Sequence, residues 1–447
     1  MFKQIMGTKV CGRLLLLTGL GLELSEALHR RTSVPNSSPT VGDEPVDHAG
    51  PGVHLALGGR AGEIIVRWST PLTSSAAFLL YGSRPDALSS RVEATTSVLA
   101  NNDGATRSPA AGPWRNISVH HALITDLTAA HRVFYKVSGD PRAERVLNFS
   151  YAVPHQRAGP VTFAVFGDLG VKEQEGANYT LAQLQKHLTN RSFDAVLHVG
   201  DIAYDCSAFQ FLPLIHPYTT EKSVYRRYDL REGAGRTGEE FLVDMEEVAA
   251  SVPYMTCPGN HERDCVQPPS EPGGEPTPTG SCTDPPYTNY RALFSMPTAT
   301  GSDAKHSPMY WSADVGSVHI VALNTDTYTL GSNMAAAQHS SLLEQLAWLE
   351  ADLAAATGLS LSLSLSLSLS LSLSLARSLA RSLGESAVGF CHTAPAQRAR
   401  VPWIVAMGHQ MMYSSHDASH QAQAKILREG GVCSAGSFEG LESIFRR

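Results

Sequence analysis

The sequence predicts a two-domain α+β protein, a β-sandwich followed by an α/β domain in which helices cover a sheet. Two rhythms and one recurrence carry this reading. Residues 53–155 hold short runs of alternating apolar and polar residues between turn residues, the pattern of half-buried antiparallel strands. From residue 160 onward the apolar runs become continuous, as in strands buried on both faces, and stretches of helical spacing separate them. The recurrence lies at the ends of those later runs, where an Asp, Asn or His repeatedly follows a glycine.

Taken in order, Lys3, Lys9 and Arg13 precede an apolar run from Leu14 to Leu22, the order of a secretory signal, which residues 1–30 are expected to form. The run is too short to span a bilayer comfortably. Residues 31–52, rich in Ser, Pro, Gly and Asp, read as a linker. Sequons at Asn36, Asn116, Asn148, Asn178 and Asn190 fit a glycoprotein on a secreted or lysosomal route. Within the sandwich, Ile64, Val66 and Trp68 share one strand face, as do Val133, Tyr135 and Val137. His120 and His121, inside ISVHHALITDL, read as ordinary strand residues.

The second domain, residues 160–447, offers strands in VTFAVFGDLG, DAVLHVGDIAYD, VPYMTCPGNHE, VHIVALNTD and PWIVAMGHQ. Helical spacing marks YTLAQLQKHL, EEFLVDMEEVAASV and SSLLEQLAWLEADLAAA. Ser341 and Glu344 stand at capping-box spacing and place the start of the third helix there. The chain of 447 residues has a net charge of −7 and no basic cluster dense enough to point to a nucleic-acid partner. Its seven cysteines form no CxxC metal pattern; Cys265 and Cys282 flank a Pro/Gly-rich stretch and could pair. No GxSxG elbow is present to supply a serine nucleophile.

Four strands end in metal-competent side chains: Asp168, then Asp201 with Tyr204, then Asn260 with His261, then His409. Side chains just past the C-terminal ends of strands in an open α/β sheet converge on one crevice. Asp168, Asp201, Tyr204, Asn260 and His409 are therefore expected to meet in one metal-sized pocket. Two carboxylates, an amide oxygen, a phenolate and an imidazole form a hard donor set suited to iron, zinc or manganese. A pair of such cations bridged by Asp201 could clamp a phosphoryl group undergoing in-line displacement.

The ordered set GDLG, GDIAY, GNHE and AMGH resembles the successive motifs of the purple acid phosphatases, within the calcineurin-like metallophosphoesterases. YMTCPGNHE, NYRALFSMP and PWIVAMGHQMMYSS resemble the animal branch. The resemblance implies a fibronectin III-like sandwich ahead of a metallophosphoesterase α/β sandwich, and a phosphatase acting at acid pH on small phosphomonoesters or phosphoproteins. It implies that Asp168 and Tyr204 hold Fe(III), that Asp201 bridges, and that Asn260 and His409 hold a divalent partner (zinc, iron or manganese). Metal-bound hydroxide would then be the nucleophile, and His261 the acid that helps the leaving oxygen depart. A nucleotidase or phosphodiesterase of the wider superfamily fits GD and GNHE alone, but Tyr204 disfavours it, because a phenolate suits Fe(III).

The sequence also departs from that family. It contains no GHxH motif, which in the family gives one histidine to each metal, and on this ground the domain is expected to be incomplete at its C-terminus and at most weakly active. Residues 358–383 are dominated by a Leu/Ser alternation, and the segment through 399 reads as translated intron, dispensable for folding, or as a real low-complexity insertion. Residues 206–229 and 263–286 read as smaller insertions beside the proposed ligands.

Overall fold

A computed structural model describes, with short interruptions, residues 51–100, 116–151, 160–203, 236–262, 287–357 and 403–446. The expected signal segment, nearly all of the linker, Tyr204, the 206–229 insertion, Cys265 with Cys282 and the 358–399 segment lie outside the described residues. Of the 263–286 insertion, only two short paired strands, β12 (Val266–Gln267) and β13 (Thr277–Pro278), are described.

The first domain consists of two antiparallel four-stranded sheets. One has the order β1 (His54–Leu57), β2 (Ile64–Pro71), β6 (Asn116–Ile124), β5 (Thr95–Ala100). The other runs β4 (Ser90–Glu93), β3 (Phe78–Gly82), β7 (Arg132–Val137), β8 (Leu147–Ser150). The period-2 pattern resolves as the pleat requires in β7, where Val133, Tyr135 and Val137 are buried; in β2 Ile64, Val66 and Trp68 are buried, but so are Ile65 and Arg67 on the other face. Trp68 anchors the core and donates its indole N–H to the Ser138 carbonyl at 3.0 Å. His120 is buried, its ring nitrogens 2.8 Å from Thr70 Oγ1 and 2.9 Å from Thr96 Oγ1.

In the second domain β9 (Phe163–Phe166), β10 (Ala195–Val199) and β11 (Tyr254–Cys257) form a parallel sheet in the order β11-β10-β9. Their crossover connections contain α1 (Glu175–Thr189) and α2 (Arg236–Ala249). A second sheet has the order β14 (Trp311–Val315), β15 (Val318–Ala322), β16 (Trp403–Met407). Here β15 pairs antiparallel with β14 and parallel with β16. The strand β14, which the apolar runs do not single out, enters through a hairpin turning at Gly316 (φ 57°). Between the sheets in sequence lies α3 (Thr288–Leu293). The chain continues through α4 (Ala336–Thr357), α5 (Ala418–Glu429), a hairpin of β17 (Gly430–Cys433) and β18 (Gly436–Glu439), and α6 (Leu441–Arg446).

Two local expectations are corrected. The helix α4 begins at Ala336, so Ser341 and Glu344 lie inside it rather than at its cap. The alanines and Gln338 ahead of them are themselves helix formers, and His339 is held by a 3.1 Å hydrogen bond to the Ser437 carbonyl. The apolar strand β16 is not buried on both faces; Trp403 is 43% exposed, and among the described residues the strand pairs only with β15.

The two domains share one apolar core. Val53, Leu55 and Leu57 of the first belong to the same buried cluster as Tyr254 and Met255 of the second. Leu55 also forms a parallel bridge to Pro253. Polar contacts reinforce this seam. The buried Glu246 of α2 accepts from Val53 N (3.0 Å), from Arg142 (2.9 Å) and from Arg145 (2.5 Å). Tyr135 donates its hydroxyl to the Ala250 carbonyl at 2.7 Å. Across adjacent strands His54, Arg67 and His121 stand in register, and they meet the segment after α3, where Arg67 and His121 both reach Ser295 Oγ.

Candidate metal centre

The parallel sheet does not stop pairing where its strands end. Asp168 N donates to Gly200 O (3.2 Å), Leu169 N to Asp201 O (3.2 Å) and Gly170 N to Ile202 O (2.9 Å), so the loops after β9 and β10 stay joined. Asp168 (φ 57°) and Asp201 (φ 49°) both adopt the left-handed conformation, uncommon outside glycine and best tolerated by Asp and Asn. Strain of this kind concentrates where a side chain must be aimed against local preference.

Each aimed side chain follows a glycine, and two of these glycines are required sterically. A Cβ at Gly200 (φ +80°) would lie 2.7 Å from His409 Cβ and 2.8 Å from Gly259 Cα. A Cβ at Gly259 would lie 2.3 Å from Asp201 Oδ1. The loops after β10, β11 and β16 thus pack backbone against side chain with no space for a methyl group. The outcome is a cluster in which ligand-capable atoms of Asp168, Asp201 and His409 lie within 4.8 Å of one another.

His409 occupies the centre. Its Nδ1–H donates to the Val199 carbonyl at 2.9 Å, which leaves Nε2 facing the cluster. That Nε2 is 3.2 Å from Asp201 Oδ2 and 3.1 Å from Asn260 Oδ1. Gln410 Nε2 also donates to Asn260 Oδ1 at 3.3 Å, and Gln410 N to Thr325 Oγ1 at 2.8 Å, so the turn after β16 is tied from two sides. His261 stands at the rim, partly exposed. Its backbone N–H donates to Asp201 Oδ1 at 3.0 Å, and its Nε2 lies 3.9 Å from Asp201 Oδ2. The structure therefore brings Asp168, Asp201, Asn260, His261 and His409 to one place.

The electrostatics describe a site that demands positive charge. Burial disfavours ionised Asp201, but the hydrogen bond and charge of His409, with His261 behind, outweigh it and hold the carboxyl below its usual range. Burial likewise opposes protonation of His409, yet Asp201 and then Asp168 raise its pKa to about 9. Two carboxylates, an amide oxygen and an imidazole nitrogen whose other nitrogen is already engaged are a donor set that a hard or borderline cation fits.

One contributor has no signal in the strand pattern. Glu262, fully buried behind the cluster, accepts from Asp201 N (2.9 Å), Ile202 N (2.8 Å) and Gly259 N (2.7 Å). The sequence alone does not mark it, since Glu262 stands among the polar residues Asn260, His261, Arg263 and Asp264.

Comparison with known proteins identifies two domains. The family model for the purple acid phosphatase N-terminal domain matches residues 51–151, and that for calcineurin-like phosphoesterases matches residues 161–351. Acid phosphatase type 7 of Danio rerio is 28% identical over 410 residues, covering 90% of this chain and 68% of that protein. The Homo sapiens protein of the same name is 26% identical over 440 residues, covering 97% and 71%. A solved purple acid phosphatase from yellow lupin seeds aligns with a TM-score of 0.45 at 19% identity. That alignment covers 67% of this chain, which spans about half (48%) of the lupin chain. With both domain models matched in order and the ligand-capable cluster at the strand ends of the second, the chain carries a purple acid phosphatase N-terminal domain followed by a calcineurin-like phosphoesterase domain.

Proposed function

We propose that the protein is an acid phosphatase that hydrolyses phosphate monoesters, small or protein-borne, at a centre holding Fe(III) and a divalent ion. The observation that supports this most is the position of Asp201. Its Oδ2 faces the His409 Nε2 and Asn260 Oδ1 pair, and Asp168 lies within ligand distance in the same cluster. Asp168 and Asp201 would hold one cation, and Asp201, Asn260 and His409 the other; Tyr204, which the family resemblance assigns to the first, lies outside the described residues. When bound, such a pair supplies Lewis acidity and a water acidic enough to react at low pH.

The chain's own residues do the remainder. The Val199 carbonyl fixes the His409 tautomer so that Nε2 offers a lone pair. His261, held by its backbone N–H on Asp201 and open to solvent at the ring, carries a proton to the departing alkoxide oxygen. The paired loops after β9 and β10 keep the carboxylates in place before substrate arrives, so little reorganisation accompanies the reaction. A secreted or lysosomal location fits an acid-pH activity and the sequons, of which Asn178 and Asn190 present exposed side chains. No helix among the described residues is long and apolar enough to cross a membrane.

The test is metal analysis together with p-nitrophenyl phosphate hydrolysis near pH 5. Two metals per chain and a loss exceeding about 100-fold in Asp201→Asn support the proposal, since even outer contacts to metal ligands typically contribute 10–100-fold. Absence of bound metal, or full turnover in Asp201→Asn, refutes it. A second reading, a phosphoester-binding protein with little turnover, is favoured by one observation. Among the described residues the cluster offers four donors, Asp168, Asp201, Asn260 and His409, enough for one cation but few for two. One metal per chain with trace hydrolysis selects that reading.

A further inference from the structure

We propose that Glu262 is a positioning residue for the metal centre, which it organises without contacting metal or substrate. The inference rests on the metal-site reading above and extends it to a residue with no ligand role. Glu262 closes the short helical turn that begins with Asn260 and His261 and has no solvent exposure. Its Oε2 accepts the backbone N–H groups of Asp201 (2.9 Å) and Gly259 (2.7 Å), and its Oε1 accepts that of Ile202 (2.8 Å). One side chain therefore ties the loop after β10 to the loop after β11. The tie falls on the backbone of Asp201, whose left-handed conformation (φ 49°) the chain would otherwise leave. Reciprocally, the backbone N–H of His261, the neighbour of Glu262, donates to the Asp201 side chain at 3.0 Å. The two contacts fix both the backbone and the carboxylate plane of Asp201.

The chemistry calls for a carboxylate rather than an amide. Every group facing Glu262 in these three bonds is a donor, and a carboxyl group presents acceptor lone pairs on both oxygens, whereas an amide presents them on one. A glutamine of the same shape turns an NH2 toward at least one of those backbone N–H groups, which leaves that donor unsatisfied and pushes the loops apart. Aspartate keeps the carboxyl group but is one methylene short of the loop after β10. The expected consequence is a displaced Asp201, and hence a weakened cation site, in a protein that is otherwise folded. That separates positioning from general support of the core.

The experiment titrates Zn²⁺ into the full-length apo chain by calorimetry and follows secondary structure, thermal midpoint in EDTA, and kcat and KM for p-nitrophenyl phosphate. The variants are E262Q, E262D and, as a control, E246Q. Glu246 is also a buried carboxylate that accepts a backbone N–H, but it sits at the domain seam. E262Q is expected to lower zinc affinity about 10–100-fold with native secondary structure, and to lower kcat more than it changes KM, with E262D intermediate. E246Q is expected to lower the thermal midpoint while zinc affinity stays within about twofold, as for a site distant from the ligands. Zinc affinity in E262Q within about twofold of wild type overturns the inference, as does an equal loss in E246Q. Should E262Q fail to fold, E262D decides: a folded E262D with wild-type zinc affinity overturns it. A wild-type chain that binds no zinc instead overturns the metal-site reading itself, which distinguishes the two failures.

Discussion

A single methyl group at Gly259 should disable the site while sparing the fold. The Cβ added by Gly259→Ala would lie 2.3 Å from Asp201 Oδ1, 2.5 Å from Asp201 N and 3.0 Å from His409 Cγ. Ordinary contact between such atoms begins near 3.4 Å, so Asp201 must retreat by about 1 Å or the loop after β11 must move as far. Gly259 is not in a positive-φ conformation, so alanine brings no backbone strain and the perturbation is steric alone. Overpacking of this size costs about 1–3 kcal/mol of stability, a tolerable loss for a domain with a large shared core. The ligands tolerate far less. Sites of this kind need positions held within about 0.5 Å, and a 1 Å misplacement costs on the order of 100-fold in rate. Zinc titration of Gly259→Ala should show a large loss of affinity, and phosphatase assays a fall of about 100-fold, with near-native circular dichroism. Wild-type zinc affinity in a folded Gly259→Ala protein would show that the close approach of these loops does not set the ligand geometry.

Other predictions concern stability and its pH dependence. His319 lies between Asp314 (2.6 Å) and Asp352 (2.9 Å), and these hydrogen bonds, against the opposing effect of burial, raise its pKa to about 9. Its contribution, on the order of 3 kcal/mol, is therefore complete below about pH 6.5 and lost as pH rises through 9. Denaturant midpoints of wild type should fall over that range, and those of His319→Gln should be flatter. His54 and His121 behave oppositely. Burial, and secondarily the charge of Arg67, lowers each to about 4, so the stability tied to their neutral forms is present above about pH 6.5 and declines toward pH 4. His121→Gln should shallow that acid limb, and an unchanged slope would mean the seam does not sense acid through this residue. Glu246→Ala leaves the buried Val53 N–H without its acceptor, while Arg142 and Arg145, about a third exposed, retain solvent and, for Arg142, Asp140; it should cost about 1–3 kcal/mol in chemical denaturation.

The sandwich was legible where a strand has one wetter face, so alternation records burial; Val133, Tyr135 and Val137 show it directly, whereas Ile65 and Arg67, between Ile64, Val66 and Trp68, are buried as well. The parallel strands were legible for the opposite reason, being buried throughout, as Val196 and Leu197 are. The same rule failed at β16, where PWIVAM has the composition of an interior strand and Trp403 is nonetheless exposed. It also passed over β14, because WSADV interposes small and charged residues between its two buried ends. At the site, ligand positions could be read from strand ends, since chain direction places Asp168, Asp201 and Asn260 on one edge of the parallel sheet; His409 reaches them from β16 of the other sheet, a placement the sequence did not foretell. What joins them could not be read. Glu262 answers to backbone N–H groups, which carry no sequence signature, and the glycines before Asp201 and Asn260 look like turn formers until the 2.3–2.8 Å approaches across them are measured.

The shared apolar core between the domains has a directional consequence. Swivelling the sandwich would expose Leu55, Leu57, Tyr254 and Met255 together and part the Leu55–Pro253 bridge, so the two domains have no cheap hinge between them. The sandwich and the mouth of the metal centre keep a fixed bearing, like a handle and its blade. Anything that grips the sandwich, whether a glycan-bearing surface or another protein, also settles which way the centre faces.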